Sequence, residues 1–179
     1  MADAALKVLD LTVHADHGQF VLQDPEPYGA WVRDSPAERD LPPAGWTHEA
    51  VQLHRIAVDP YSIAVGTARS DIVIVRLRLH RAAVRADLSE AEHVVEADLD
   101  LPTGNLCVYG PADDPGDEQL IVIAGGRYRV RVSYLPADPP EQAGPYEIGE
   151  HFLYQIDLWP SRGSAGLVVL KQGPSPWAD

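Results

Sequence analysis

Residues 118–135 read EQLIVIAGGRYRVRVSYL, two extended stretches on either side of a glycine pair. Beyond the pair, Tyr128, Val130, Val132 and Tyr134 fall on one side of the chain, while Arg127, Arg129, Arg131 and Ser133 fall on the other. A period of two separates apolar from polar positions in a strand and in no helix. Gly125-Gly126 is a favoured two-residue turn, so the stretch predicts a β-hairpin whose second arm is half buried.

The same period recurs along the chain. In DIVIVRLRLHRAAV (71–84), Val73, Val75, Leu77 and Leu79 share one face, and Arg76, Arg78 and His80 share the other. In HVVEADLDL (93–101), Val95, Ala97, Leu99 and Leu101 point inward, and Glu96, Asp98 and Asp100 point outward. LKVLDLTVH (6–14) alternates as well, and QFVLQ (19–23) follows a turn at Ala15-Asp16-His17-Gly18, which predicts a first hairpin. YGAWV (28–32), LCVYG (106–110) after a turn at PTGN, HFLYQIDLWP (151–160) and GLVVLK (166–171) complete the candidate strands. Only WTHEAVQLH (46–54) suggests helical turns, with Thr47 as N-cap and Glu49 in the first turn.

Alternation of this kind leaves each sheet one solvated face, and two such sheets bury their apolar faces together. The expected fold is all-β, an antiparallel β-sandwich of about 9–11 short strands with at most one short helix. A partly open barrel is the alternative. Residues 33–45 and 136–150, both rich in proline, read as loops. The length suits a single domain over 1–179, with a frayed tail from 172.

The net charge is −13, from 14 basic and 27 acidic residues. Such a surface repels nucleic acid and anionic membrane, stays soluble, and attracts basic proteins. No run approaches the ~18 apolar residues of a membrane-spanning helix. MADAALKVLDL lacks the basic and apolar regions of a signal peptide, and Cys107 is the only cysteine. A cytoplasmic location is expected.

Charge is also patterned. The outward arginines 76, 78, 127, 129 and 131 and the outward carboxylates Glu96, Asp98 and Asp100 predict cross-strand ion pairs, or alternatively a docking face. Between Arg85 and Arg127 there is no Lys or Arg but there are ten acidic residues, with Asp113, Asp114, Asp117 and Glu118 concentrated in one loop. The partner-binding candidates are therefore Glu96, Asp98, Asp100, Asp113, Asp114, Asp117 and Glu118. The calcium pattern of an EF-hand is absent from that loop.

Chemistry is harder to find. HExxH, GxSxG and a phosphate-binding Gly-Lys-Ser/Thr are all missing. His14 and Asp16 share a strand face while His17 faces away, so a metal site there needs a further ligand such as His151. His14, His17 and His151 are the candidates for that alternative, a ligand- or metal-binding enzyme with a histidine site at a loop end. The polar strand end is the plainer reading. No catalytic residue and no cofactor is expected.

Three short motifs lie in order along the chain: Gln19-Phe20, Trp46-Thr47-His48-Glu49-Ala50 and Gly126-Arg127-Tyr128-Arg129-Val130. In this the chain resembles the competence protein J family, bacterial inhibitors of a competence nuclease, over about Leu6 to Leu158. The resemblance implies a non-enzymatic protein whose partner is a basic protein, a nuclease. The Pro-rich loop at 33–45, the acidic loop at 111–118 and the C-terminal segment depart from that pattern and put the identity of the partner in doubt. An immunity-type protein is the related reading, and a homodimer joined through sheet edges is a further alternative.

Overall fold

The alternating stretch after Gly125 becomes β9 (Gly126–Pro136), the longest strand among the described residues and central in the larger sheet. The computed structural model describes residues 5–34, 45–113, 120–144 and 150–174. Strands β1 (Lys7–His14), β5 (Ile72–Leu79), β6 (His93–Leu101), β9, β10 (Phe152–Pro160) and β11 (Val168–Lys171) form a six-stranded sheet in the order β1-β5-β10-β9-β6-β11. Strands β2 (Gln19–Gln23), β3 (Ile56–Asp59), β4 (Ser62–Gly66), β7 (Asn105–Tyr109) and β8 (Leu120–Val122) form a five-stranded sheet in the order β3-β4-β2-β7-β8. Every pairing is antiparallel except β5 with β10. The all-β sandwich expected from the alternation is the fold observed.

The two sheets close on one apolar cluster. Phe20, Leu22, Ile63, Val65 and Leu106 enter from the smaller sheet, and Val75, Leu77, Val130, Tyr134 and Ile156 from the larger, each with 1% or less of its surface exposed. At roughly 1.5–3 kcal/mol for each large apolar side chain fully buried, this cluster is the main source of stability.

Both predicted hairpins are corners instead. β1 pairs with β5 in the larger sheet while β2 pairs with β4 and β7 in the smaller. The connection is one tight turn, Asp16–Gly18, in which His17 (φ 52°) and Gly18 (φ 65°) are both left-handed. At this corner a Cβ on Gly110 would collide with the carbonyl of His14, so glycine lets the two sheets approach. Likewise β8 pairs with β7, and β9 with β6 and β10, so Gly125-Gly126 carries the chain from one sheet to the other. Ile121 and Tyr128 are both in the core, reaching it from opposite sheets. A hairpin would have set them on one face of one sheet.

YGAWV is not a strand. It lies in helix α1 (Pro25–Asp34), where Pro25 and Pro27 occupy the first turn and need no amide donor. Their missing N–H groups would leave gaps in a sheet ladder. Tyr28 and Trp31, one turn apart, pack ring to ring with centroids 5.6 Å apart. The turns predicted at 46–54 do form: the Thr47 hydroxyl accepts from the Ala50 amide at 3.1 Å, and the segment ends in a single π-helical turn, Ala50–His54. At the C-terminal side, residues 172–174 are described, and the Gly173 amide reaches His93 Nδ1 at 3.4 Å. No helix of the described residues is long and apolar enough to cross a membrane.

Candidate partner-binding end of the sandwich

The outer face of the larger sheet holds the charged stripes, and strand register pairs them. Glu96 stands opposite Arg131, Asp98 opposite Arg129 and Asp100 opposite Arg127. Arg131 bonds Glu96 at 2.7–2.8 Å, Arg129 bridges Glu96 (3.1 Å) and Asp98 (3.0 Å), and Arg127 grips Asp100 through two nitrogens at 2.7 and 2.9 Å. Across the sheet, Arg76 holds Asp10 in the same bidentate way at 2.8 and 2.9 Å. The buried Asp157 accepts from Arg78 Nε at 2.7 Å and His80 Nε2 at 2.6 Å. Arg131 also lies 4.9 Å over the Trp159 ring.

The backbone finishes what the arginines begin. Asp98 accepts from the amides of Ala165 and Gly166, and Arg129 donates to the Gly166 carbonyl, so the connection before β11 is laced to this face. Burial pushes the Asp98 carboxyl up, but the bonds from Gly166, Arg129 and Ala165 outweigh it and hold it below the usual range. The hydrogen bond from Arg76 lowers Asp10, and that from Arg127 lowers Asp100. Glu96 and Asp98 keep only 14% and 15% of their side-chain surface exposed, against 43% for Asp100.

The loop end of the sandwich is different. Here β1, β4, β7 and β9 finish and β2, β3, β5, β6 and β10 begin, as their registers require. Glu49, Asp138, Glu141 and Glu150 are exposed at this end, and Asp16 and Asp113 are half-buried. The arginines described among them, Arg55 and Arg69, are both buried. Arg69 pairs with Asp71 at 3.3 Å. Asp71 is raised by burial, but the amides of Ile72 and Gly144 and the Arg69 pair bring it below the usual carboxylate range.

Beneath this rim lies an aromatic nest. Tyr134 packs edge-on against His93, Phe152 and Tyr154, with ring centroids 5.2–5.9 Å apart. Its hydroxyl lies 2.9 Å from the carbonyls of both Arg55 and Gly66, which joins β9 to the smaller sheet. His93 donates from Nε2 to the His54 carbonyl at 3.0 Å, leaving Nδ1 to accept from Gly173. Burial pushes His93 down to about 4, opposed by the bond to the His54 carbonyl and aided by the nearby Arg55 cation. Neutral imidazole suits both bonds; a second ring proton would face the Gly173 amide.

Arg55 completes the nest. Its backbone is left-handed (φ 57°), it has no exposed surface, and its guanidinium sits 5.5 Å from the Tyr134 ring centroid. Burial lowers its proton affinity, while Tyr134, Glu92, Tyr154 and Glu150 act in the opposite direction.

The sequence candidates divide between the two regions. Glu96, Asp98 and Asp100 lie in the ladder. Asp113 lies at the loop end, where it accepts from the Gly110 amide at 3.3 Å, and Asp114, Asp117 and Glu118 fall outside the described residues. The flanks of that loop, Tyr109 and Leu120, both stand at the loop end, since Cys107 pairs with Leu120. His14, His17 and His151 share this end too. His17 is 80% exposed, His14 is exposed and His151 is half-buried. Among the described residues no three His, Cys, Asp or Glu side chains gather closely enough to hold a metal ion. Sequence reasoning missed Arg55, Tyr134 and His93 as a group, because no spacing links residues on β9, on β6 and at the start of β3.

The sequence matches no family model and no curated relative. Two solved structures share the fold over nearly their whole length. One is the crystal structure of ComJ, inhibitor of the DNA degrading activity of NucA, from Bacillus subtilis, with a TM-score of 0.57 and 17% identity over 90% of this chain and 99% of that one. The other is the product of crocagin biosynthetic gene J, with a TM-score of 0.54 and 16% identity over 87% of this chain and 98% of that one. The likeness to the competence protein J family read from three short motifs is thus a likeness of fold that spans most of the chain.

Proposed function

We propose that this protein is a non-enzymatic binding domain whose partner is a basic protein, of the nuclease class, engaged at the acidic loop end. The observation that carries this reading is the shared fold over 99% of a nuclease inhibitor. The charge distribution supports it. A nuclease must hold phosphate and so presents cations, which a carboxylate-rich rim complements. Among the described residues Asp138, Glu141 and Glu150 are exposed at the loop end, and Asp113, Asp114, Asp117 and Glu118 of the acidic loop are the sequence candidates that would join them. Glu96, Asp98 and Asp100 serve less directly, because arginines already neutralise them.

The test is inhibition and binding of the nuclease encoded nearest this protein's gene. Stoichiometric inhibition is expected at low ionic strength, weakening as salt screens the contact. Absence of both binding and inhibition at low salt rejects the reading.

A further inference from the structure

Arg55 is the one arginine of the described residues with all three guanidinium nitrogens buried and without a hydrogen-bond partner. Glu92 and Glu150 are near enough to be felt electrostatically, yet neither bonds it. A guanidinium stays protonated, carries five N–H donors in a rigid planar fork, and cannot relieve its burial by losing its charge. The Tyr134 ring satisfies one face of the cation but none of its donors.

The surroundings exclude most occupants. The Tyr134 hydroxyl is engaged by two backbone carbonyls, and neutral His93 by the His54 carbonyl and the Gly173 amide. The permanent charge of Arg55 itself disfavours a cation at this point. What is unmet is a set of coplanar donors against aromatic walls, and the planar two-oxygen acceptor that matches it is a carboxylate.

We propose that Arg55 is the receptor of a carboxylate-binding site, filled by an acid from outside the chain. The source is a small carboxylic acid or an acidic side chain of a bound protein; the chemistry at the fork is the same. Arg55 closes the π-helical turn Ala50–His54 and immediately precedes β3, so it lies on a connection at the loop end rather than within a strand. Such connections open locally more readily than core strands do. The acidic rim disfavours a free anion, so binding of a simple acid is expected to be weak, on the order of millimolar.

The experiment uses the whole protein alone, so its result does not depend on the nuclease reading. Sodium acetate is titrated against sodium chloride at matched ionic strength while the Nε–H resonance of Arg55 is followed by NMR, assigned by its loss in Arg55→Met. The site predicts a saturable shift with acetate, none with chloride, and at least roughly tenfold weaker acetate binding in Arg55→Lys, followed through the Tyr134 and His93 resonances. If added nuclease displaces acetate, the natural carboxylate belongs to the partner; if acetate stays bound in the complex, it belongs to a separate small acid.

Three results overturn the proposal. One is an Arg55 resonance indifferent to acetate up to molar concentration. Another is an equal response to acetate and inorganic phosphate, which means a general anion site. The third is an Arg55 resonance that moves in Glu92→Gln or Glu150→Gln without any ligand, which means the chain supplies its own acceptor.

Discussion

On the outer face of the six-stranded sheet, Arg76, Arg78, Arg127, Arg129 and Arg131 each meet a carboxylate. At the loop end, Arg55 meets none, and Glu141 and Glu150 face solvent. The difference lies in what places the side chains. On a sheet face, register sets positions two residues apart directly across from one another, so alternating charges on adjacent strands fall into pairs. Loops impose no such register, and at this end only Arg69 and Asp71 form an arginine–carboxylate pair among the described residues. A protein can therefore carry a net charge of −13 and still present a nearly neutral sheet face.

The largest expected effect tests whether the ladder is self-contained. Asp157 is 1% exposed and accepts from Arg78, His80 and Gln155. Replacing it with alanine strands His80 Nε2 in the interior beside the unpartnered Nδ1 of the same ring. Loss of one member of a buried pair costs about 3–5 kcal/mol, so Asp157→Ala should shift the urea midpoint far downward. A shift of under ~1 kcal/mol would show that solvent already reaches the pair.

Acid titration probes the nest in turn. His93 takes up its proton near pH 4 in the folded protein and near 6.5 when unfolded. Between those values the unfolded chain binds more protons, so stability is full above pH 6.5 and falls as pH drops toward 4, by roughly 3 kcal/mol. The lowered aspartates Asp71 and Asp98 lose their contribution only below the usual carboxylate range, in a separate and more acidic window. In His93→Gln the fall between pH 6.5 and 4.5 should flatten while the more acidic one remains. Urea melts at about pH 7.0, 5.5, 4.5 and 3.0 measure both.

A third comparison concerns partners. The triple reversal Asp138→Lys, Glu141→Lys and Glu150→Lys removes exposed charge from the rim and touches none of the ion pairs described above. It should leave folding within ~0.5 kcal/mol of the parent. Association with a basic nuclease should slow about tenfold at low salt and lose most of its salt dependence. Unchanged association would move the docking surface away from this end.

How far the sequence could carry these distinctions differs by element. Alternation in 71–84, 93–101 and 126–136 identified both faces of β5, β6 and β9, down to the stripes that pair. Sheet membership was out of reach, because Gly18 and Gly125-Gly126 supply the same left-handed or open backbone to a corner as to a hairpin. YGAWV reads as strand although it lies in helix α1, because a five-residue apolar run fits either period, and Pro25 and Pro27 are the better guide. The short β3–β4 hairpin has no counterpart among the candidate strands. Arg55 was illegible for a deeper reason: a buried cation and a solvated one look alike in sequence, and only the packing of Tyr134 over it tells them apart.

The smallest effect gives the ladder its finest test. Asp10 and Arg76 form a bidentate pair with 50% and 39% of their side-chain surface exposed, at the edge strand β1. Water screens such a pair, and holding two side chains in one geometry costs entropy, so a double-mutant cycle with Asp10→Asn and Arg76→Met should return a coupling of only ~0.5 kcal/mol. The same cycle in 0.5 M salt should return less. Binding of the nuclease should not change in any corner of the cycle, because both charges are already matched within the sheet. A coupling near zero would mean that register alone aligns the two residues. A binding defect in Asp10→Asn would place the partner on the sheet face and dissolve the division of labour between the two regions.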